Sequence, residues 1–162
     1  GTQMAATRIA NSKRDDEMTT ATLVVDIETH GWPAEPDFGI QRVGRFGHRA
    51  WTSEACLAFS RVVQIGWRLY GEDETLLRSE SRLVSDVPGG IMSKATKYHR
   101  ITNERAREEG VPLTKAVADF CLDLRRLDES GGTLLGHNLE FDAGILYHEL
   151  RRVAASPEDR ER

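Results

Sequence analysis

Asp26 and Glu28 stand two residues apart at the end of the apolar run in TLVVDIETHG, Thr22 to Gly31. In an extended strand, residues two apart share a face. The two carboxylates therefore project together and repel each other unless water screens them or a divalent cation binds both. Hard oxygen donors of this kind suit Mg²⁺ or Mn²⁺, while the plainer reading leaves both acids in solvent at a strand end. A third acid bears on the same chemistry. GHNLEFDAGIL, Gly136 to Leu146, puts Asp142 in the first turn of a helix that follows a short strand. Asn138 stands where an N-cap residue belongs, which is a sufficient local reason for its presence. If the two strands are adjacent and parallel, Asp142 reaches the Asp26/Glu28 pair. Acids ending a strand also mark nucleotide-hydrolysing P-loop proteins, but no G-x-x-x-x-G-K-[ST] precedes this one.

The elements that must position these residues are legible from periodicity. Leu23 to Ile27 reads as a buried central strand. Arg61 to Tyr70 alternates, with Val63, Ile65, Trp67 and Leu69 on one face, and Thr75 to Val84 follows the Gly71-Glu72-Asp73 turn as a hairpin partner. Between strands one and two lies a long connection, His30 to Ser60, whose Thr52 to Ser60 part is expected to be a short helix capped by Ser53. After Pro88-Gly89-Gly90 the chain turns helical. Thr102 should cap a short helix that stops at Gly110. Leu113, Ala116, Val117, Phe120, Leu124 and Leu127 mark a longer helix that ends at Gly131-Gly132. Thr133 to Gly136 is a fourth, short strand. A last helix, about Leu139 to Ala155, carries Leu139, Ala143, Leu146, Leu150 and Val153 along one stripe. The order β-β-β-α-β-α is that of an α/β protein.

Composition narrows the function classes. With 162 residues, 39% apolar and 30% charged, the chain can fold around one core rather than remain disordered. A net charge of −4 gives no global basic field, so any affinity for nucleic acid has to be local. Cys56 and Cys121 fall in no metal-binding spacing and are expected in the core; an intracellular, reducing compartment is the default, with no secretion signal at the start. No apolar run approaches ~18 residues, so no membrane span is expected. Residues 1–21 read as a flexible arm and 157–162 as a polar tail around a domain at 22–156.

VVDIETHG, RVVQIGW and GHNLEFDAGIL, in this order, resemble the DEDD-type (DnaQ-like) 3′→5′ exonucleases, a superfamily with a ribonuclease H-like fold. The family's D-x-E-T motif matches Asp26, Glu28 and Thr29, and its H-N-x-x-F-D motif matches His137, Asn138, Phe141 and Asp142. KATKYHRITNE, Lys94 to Glu104, is similar to the family's A…H-x-I-T segment. The resemblance implies a mixed sheet of order 3-2-1-4 and two-metal-ion phosphodiester hydrolysis with Mg²⁺ or Mn²⁺. Asp26 would bridge both ions, with Glu28 and Asp142 completing one shell each. Thr29, His30, His99, His137, Asn138 and Phe141 would contact a 3′-terminal nucleotide of DNA or RNA. Tyr98 and His99 have an equally good reading as local packing.

The chain departs from the family at its third motif. The DEDDh branch uses H-x-x-x-x-D after the second motif, but beyond Asp142 there are only His148 and Asp159, eleven apart. The resemblance therefore implies a domain incomplete at its C-terminus, without the final strand and helix, and of weak or no activity. Self-association through the exposed sheet edge would follow. The alternative is an exonuclease-like module that binds nucleic acid or a protein without hydrolysis. A third reading, an unrelated metal phosphohydrolase with a D-x-E pair, is opposed by the second motif. Trp32, Phe38, Phe46 and Trp51, interleaved with Arg42, Arg45, His48 and Arg49, describe either a single-strand binding surface or a loop packed on the core.

Overall fold

A computed structural model of the chain describes residues 21–31 and 54–155. The arm at 1–20, the aromatic and arginine-rich part of the connection, Ser53 and the polar tail lie outside these residues. Within them, four strands form one sheet of order β3-β2-β1-β4, the mixed, ribonuclease H-like architecture that the motifs imply. β1 (Thr22–Thr29) pairs antiparallel with β2 (Val62–Tyr70), which forms a hairpin with β3 (Leu76–Leu83). On its other side β1 pairs in parallel with β4 (Thr133–Leu135). The crossover between them carries α2 (Ser93–His99), α3 (Asn103–Glu109) and α4 (Leu113–Glu129). α1 (Glu54–Phe59) precedes β2 and α5 (Leu139–Ala154) ends the described fold.

α4 and α5 both pack on the sheet face formed by Leu23, Val25, Ile27, Ile65, Trp67 and Leu69, all buried. The α4 stripe meets them as its periodicity requires, with Ala116, Val117 and Phe120 in the core. A smaller cluster, Val63, Leu83, Ile91, Ile101 and Ala106, seats α3, whose Thr102 accepts the Arg105 N–H as the sequence predicts. Cys56 is buried and Cys121 partly so, and the two are not joined in a disulfide.

Four expectations need correction. β1 is central in pairing order but not buried on both faces: Val24 is 38% exposed, and Asp26 is exposed on the same side. β1 also runs on to Thr29, because Glu28 still pairs with Gln64 across a bulge at Glu28/Thr29. The acids therefore sit within the strand and not beyond its end. On α5, Leu146 is buried and Leu139, Leu150 and Val153 pack partly buried on the core as the stripe requires, but the centre of the buried face is turned from that stripe. Ala143 is exposed, and the buried line runs through Asp142, Ile145, Leu146 and Glu149. Two acids occupy core positions at helical spacing, so an apolar pattern alone misplaces the face. Ala21, placed at the end of the arm by the sequence, is buried, and its carbonyl accepts the Thr133 N–H.

Candidate active site

The site is built where β1 and the start of α5 meet. Asp26 and Glu28 leave the open face of β1, beside Gly66 and Gln64 of β2. Gly66 has no side chain to cover Asp26, and a Cβ there would find only ordinary contact with the Asp26 carbonyl. Parallel pairing of Val24 with Leu135 brings the end of β4, and so the first turn of α5, to the same edge. Gly136 then lies against the Val25 carbonyl, and a Cβ on it would stand 3.4 Å from Asp142 Oδ2. The absence of a side chain at 136 lets the acid tuck beneath β1.

Asp142 is 3% exposed, and its Oδ2 is buried without a hydrogen-bond partner among the described residues. Burial, then repulsion from Asp26 and Glu28, push its carboxyl from an ordinary 3.8 up to about 7. Burial and Asp26 raise Glu28 as well. Asp26 thus makes both Glu28 and Asp142 harder to ionise, and Glu28 adds to the effect on Asp142. Among the described residues no three His, Cys, Asp or Glu side chains are gathered tightly enough to hold one metal ion. The donor set fits a hard divalent cation in type and charge, and the unpartnered Oδ2 is an acceptor that such a cation would satisfy. It is not a closed cage.

The remaining candidates divide into two groups. His137 and Asn138 are exposed at the mouth of α5. Asn138 occupies the N-cap position but makes no side-chain cap hydrogen bond, contrary to the local role that its position suggests. Thr29, His30 and Phe141 are buried. His30 accepts the Arg61 N–H on Nδ1 at 3.1 Å, while its own backbone N–H donates to the Arg61 carbonyl. Burial and Arg61 hold its ring below the usual histidine range. His99 accepts the Ile101 N–H on Nδ1 at 3.0 Å, which leaves the proton on Nε2, 3.1 Å from the Thr29 carbonyl. Both ring nitrogens of His99 serve the backbone, so it ties α2 to the end of β1. This matches the packing reading made for it. His148 Nε2 lies 3.2 Å from a carboxylate oxygen of Glu54 in α1.

Sequence reasoning missed Glu149. Fully buried, it binds Arg61 through two bonds of 2.8 and 3.2 Å, accepts the Val62 N–H at 3.0 Å and meets Arg152 at 3.3 Å. Arg152 also donates to the Ala58 carbonyl. This clamp fastens α5 to the start of β2, next to Thr29, and so sets the helix that carries Asp142 against the strand that carries Asp26. The available signal was spacing: Glu149 lies two turns after Asp142, on the same helical face.

These features define a ribonuclease H-like fold with a carboxylate cluster at the edge shared by β1, β4 and α5. Neither a known family model nor a curated protein matches the sequence. Solved structures do. A product-bound exonuclease I has a TM-score of 0.61 at 17% identity, over 86% of this chain and 27% of its own. A zinc-bound E. coli ExoI–ssDNA complex has 0.62 at 17%, over 86% and 25%. E. coli exonuclease I with a 5cy-dA13 oligonucleotide has 0.59 at 17%, again over 86% and 25%. The chain thus spans about a quarter of the length of these neighbours, and the likeness is one of fold.

Proposed function

We propose that this chain is the catalytic-fold portion of a metal-dependent 3′→5′ exonuclease acting on single-stranded or 3′-end nucleic acid. One observation carries the reading: Asp142, from a different element, is buried against the repelling Asp26/Glu28 pair with an oxygen that none of the described residues satisfies. A structural acid would be paired, as Glu149 is. Three converging carboxylates on this fold, with no cation among them, fit a site for Mg²⁺ or Mn²⁺. Divalent ions held by Asp26, Glu28 and Asp142 would supply the positive charge that a phosphodiester needs there to accept a nucleophile. The protein supplies the rest. The end of β1 is fixed by His99 through the Thr29 carbonyl, and exposed Asn138 and His137 stand at the opening where a terminal nucleotide would lie. Gly66 leaves the face above Asp26 uncovered.

His30 and His99 are engaged by backbone groups and the His148 Nε2 lies against Glu54 of α1, so none of these three offers a free ring nitrogen to the carboxylates. General-base assistance is typically worth ~10²–10⁴-fold, and we expect slow trimming. Mn²⁺ titration and digestion of a 3′-labelled oligonucleotide test the reading, each with wild type and Asp26→Asn. Wild type should bind Mn²⁺ and shorten the strand slowly from its 3′ end, and EDTA or the substitution should abolish both. Equal Mn²⁺ affinity in the two proteins would sink it.

A further inference from the structure

The helices α2 and α3 follow each other and treat charge in opposite ways. In α3 the basic residues are neutralised locally, Arg105 by Glu109 and Arg107 by Glu104. α2 holds no acid in its first turn and no buried residue. Its Lys94 and Lys97, with Arg100 just beyond, are exposed, and among the described residues none of the three has an ion-pair partner. Tyr98 beside them is 80% exposed. The helix packs only Ala95 against the smaller hydrophobic cluster, and its hydrogen-bonded ties lead to the site. His99 Nε2–H meets the Thr29 carbonyl, and the Met92 N–H donates to the His30 carbonyl at 2.8 Å. The free cations and the aromatic ring are thereby fixed to the residue that follows Glu28.

Divalent ions in the carboxylate site would offset its charge only for the phosphate they touch, so the phosphates further along a strand need cations of the protein's own. Water screens charge beyond ~8 Å at physiological salt, which means that only neighbouring cations can serve. We propose that Lys94, Lys97, Arg100 and Tyr98 form the surface that holds a single-stranded nucleic acid as its end enters the carboxylate site, with the cations on phosphates and the tyrosine stacked on a base. The choice of occupant follows from the pairing of an exposed ring with unpaired cations: a strand offers both charges and bases.

The inference rests on the reading above, but its test needs no hydrolysis. Binding of a labelled dT strand of about twelve nucleotides, blocked by phosphorothioate at its 3′ end, is followed in Mg²⁺ by anisotropy across a salt series. Three phosphate contacts contribute about 2 to the slope of log affinity against log salt. The Lys94→Gln/Lys97→Gln/Arg100→Asn variant should lose about that much slope and bind ~10-fold or more weakly at low salt. Asn is chosen at 100 because the backbone there is left-handed, at φ 65°. Tyr98→Ala should weaken binding of the dT strand and leave an abasic strand of equal length unaffected. Melting curves should match wild type; if the triple variant melts early, the single lysine variants replace it, each with a proportionate loss. Unchanged affinity and slope, or no binding by wild type, overturns the proposal. So does equal competition by poly-glutamate with no effect of Tyr98→Ala, which would make α2 a surface for acidic proteins. Wild type that cuts while the variants bind normally would overturn this inference alone. Wild type that binds through α2 without cutting or holding Mn²⁺ would overturn only the hydrolytic reading.

Discussion

Asp142 and Glu149 lie two turns apart on one helix face and are both nearly invisible to solvent, 3% and 0% exposed. Glu149 is surrounded by donors: two arginines and a backbone N–H. Asp142 faces two other carboxylates and keeps an oxygen unpaired among the described residues. A buried charge is tolerated when it is paired and hydrogen-bonded, and otherwise it takes up a proton or a cation. The same residue class at the same depth thus does opposite work. One carboxylate closes the fold, and the other stands ready for something the fold does not provide.

The largest expected effect comes from breaking the satisfied member. Glu149→Ala leaves the Arg61 guanidinium and the Val62 N–H without their acceptor, and losing one partner of a buried pair costs ~3–5 kcal/mol. In a domain of this size that corresponds to a fall in Tm of roughly 6–20 °C. Glu149→Gln, which keeps hydrogen bonds but not charge, should fall between that variant and wild type. A melt of Glu149→Ala within a degree or two of wild type would mean that the clamp carries little of the α5 docking.

Asp142 should respond in the opposite direction. Its folded carboxyl titrates near 7 rather than at 3.8, so the folded protein holds that proton more tightly than the unfolded chain does. The sign follows from linkage: stability from this group is full below ~4, is lost as pH rises through ~7, and stays lost above. At pH ~8 without divalent ions, Asp142→Asn should be more stable than wild type by ~2–4 kcal/mol, and it should lack the slope between pH ~4 and ~7. Saturating Mn²⁺ should close most or all of that gap, since binding at ~100-fold above Kd adds ~2.7 kcal/mol to the protein that binds. Urea titrations at the two pH values, with and without Mn²⁺, check this. Equal stability of both proteins in all four conditions would remove the repulsion on which the comparison depends.

The strands, the helices and the α4 core face were legible because apolar alternation and helical spacing encode them directly, whereas the strand order and the parallel β1/β4 pair were legible only through the motifs and the resemblance that they carry. The convergence of Asp142 on Asp26 was legible too, since motif spacing and parallel pairing suffice to place it. The rotation of α5 was not. Glu149 and Asp142 are read from sequence as solvent-seeking residues, and only the arginines that arrive from β2 and from the helix itself make burial of Glu149 possible. Asn138 illustrates the converse: its position suggests a cap, yet its side chain leaves the helix end alone. His99 was ambiguous for a physical reason, because nothing in a sequence reveals that both ring nitrogens will be taken by backbone groups.

The smallest effect concerns the two faces of the sheet. One is covered by α4 and α5. The other shows Val24 and Leu135 side by side in register, 38% and 47% exposed, at the β4 edge. Unpaired strand edges and apolar patches both invite association, but β4 is only three residues long and this patch is two side chains wide. Weak association is therefore expected, with a monomer at low concentration and a rise in scattering mass only as concentration increases. Val24→Thr with Leu135→Thr should abolish that rise while changing stability by no more than about 0.5 kcal/mol, the usual range for exposed substitutions. Thr keeps the β-branched shape that a strand accepts, so the loss would report on the surface rather than on the sheet. A dimer that persists at low concentration and is indifferent to both substitutions would place the contact elsewhere and leave this face without a role in association.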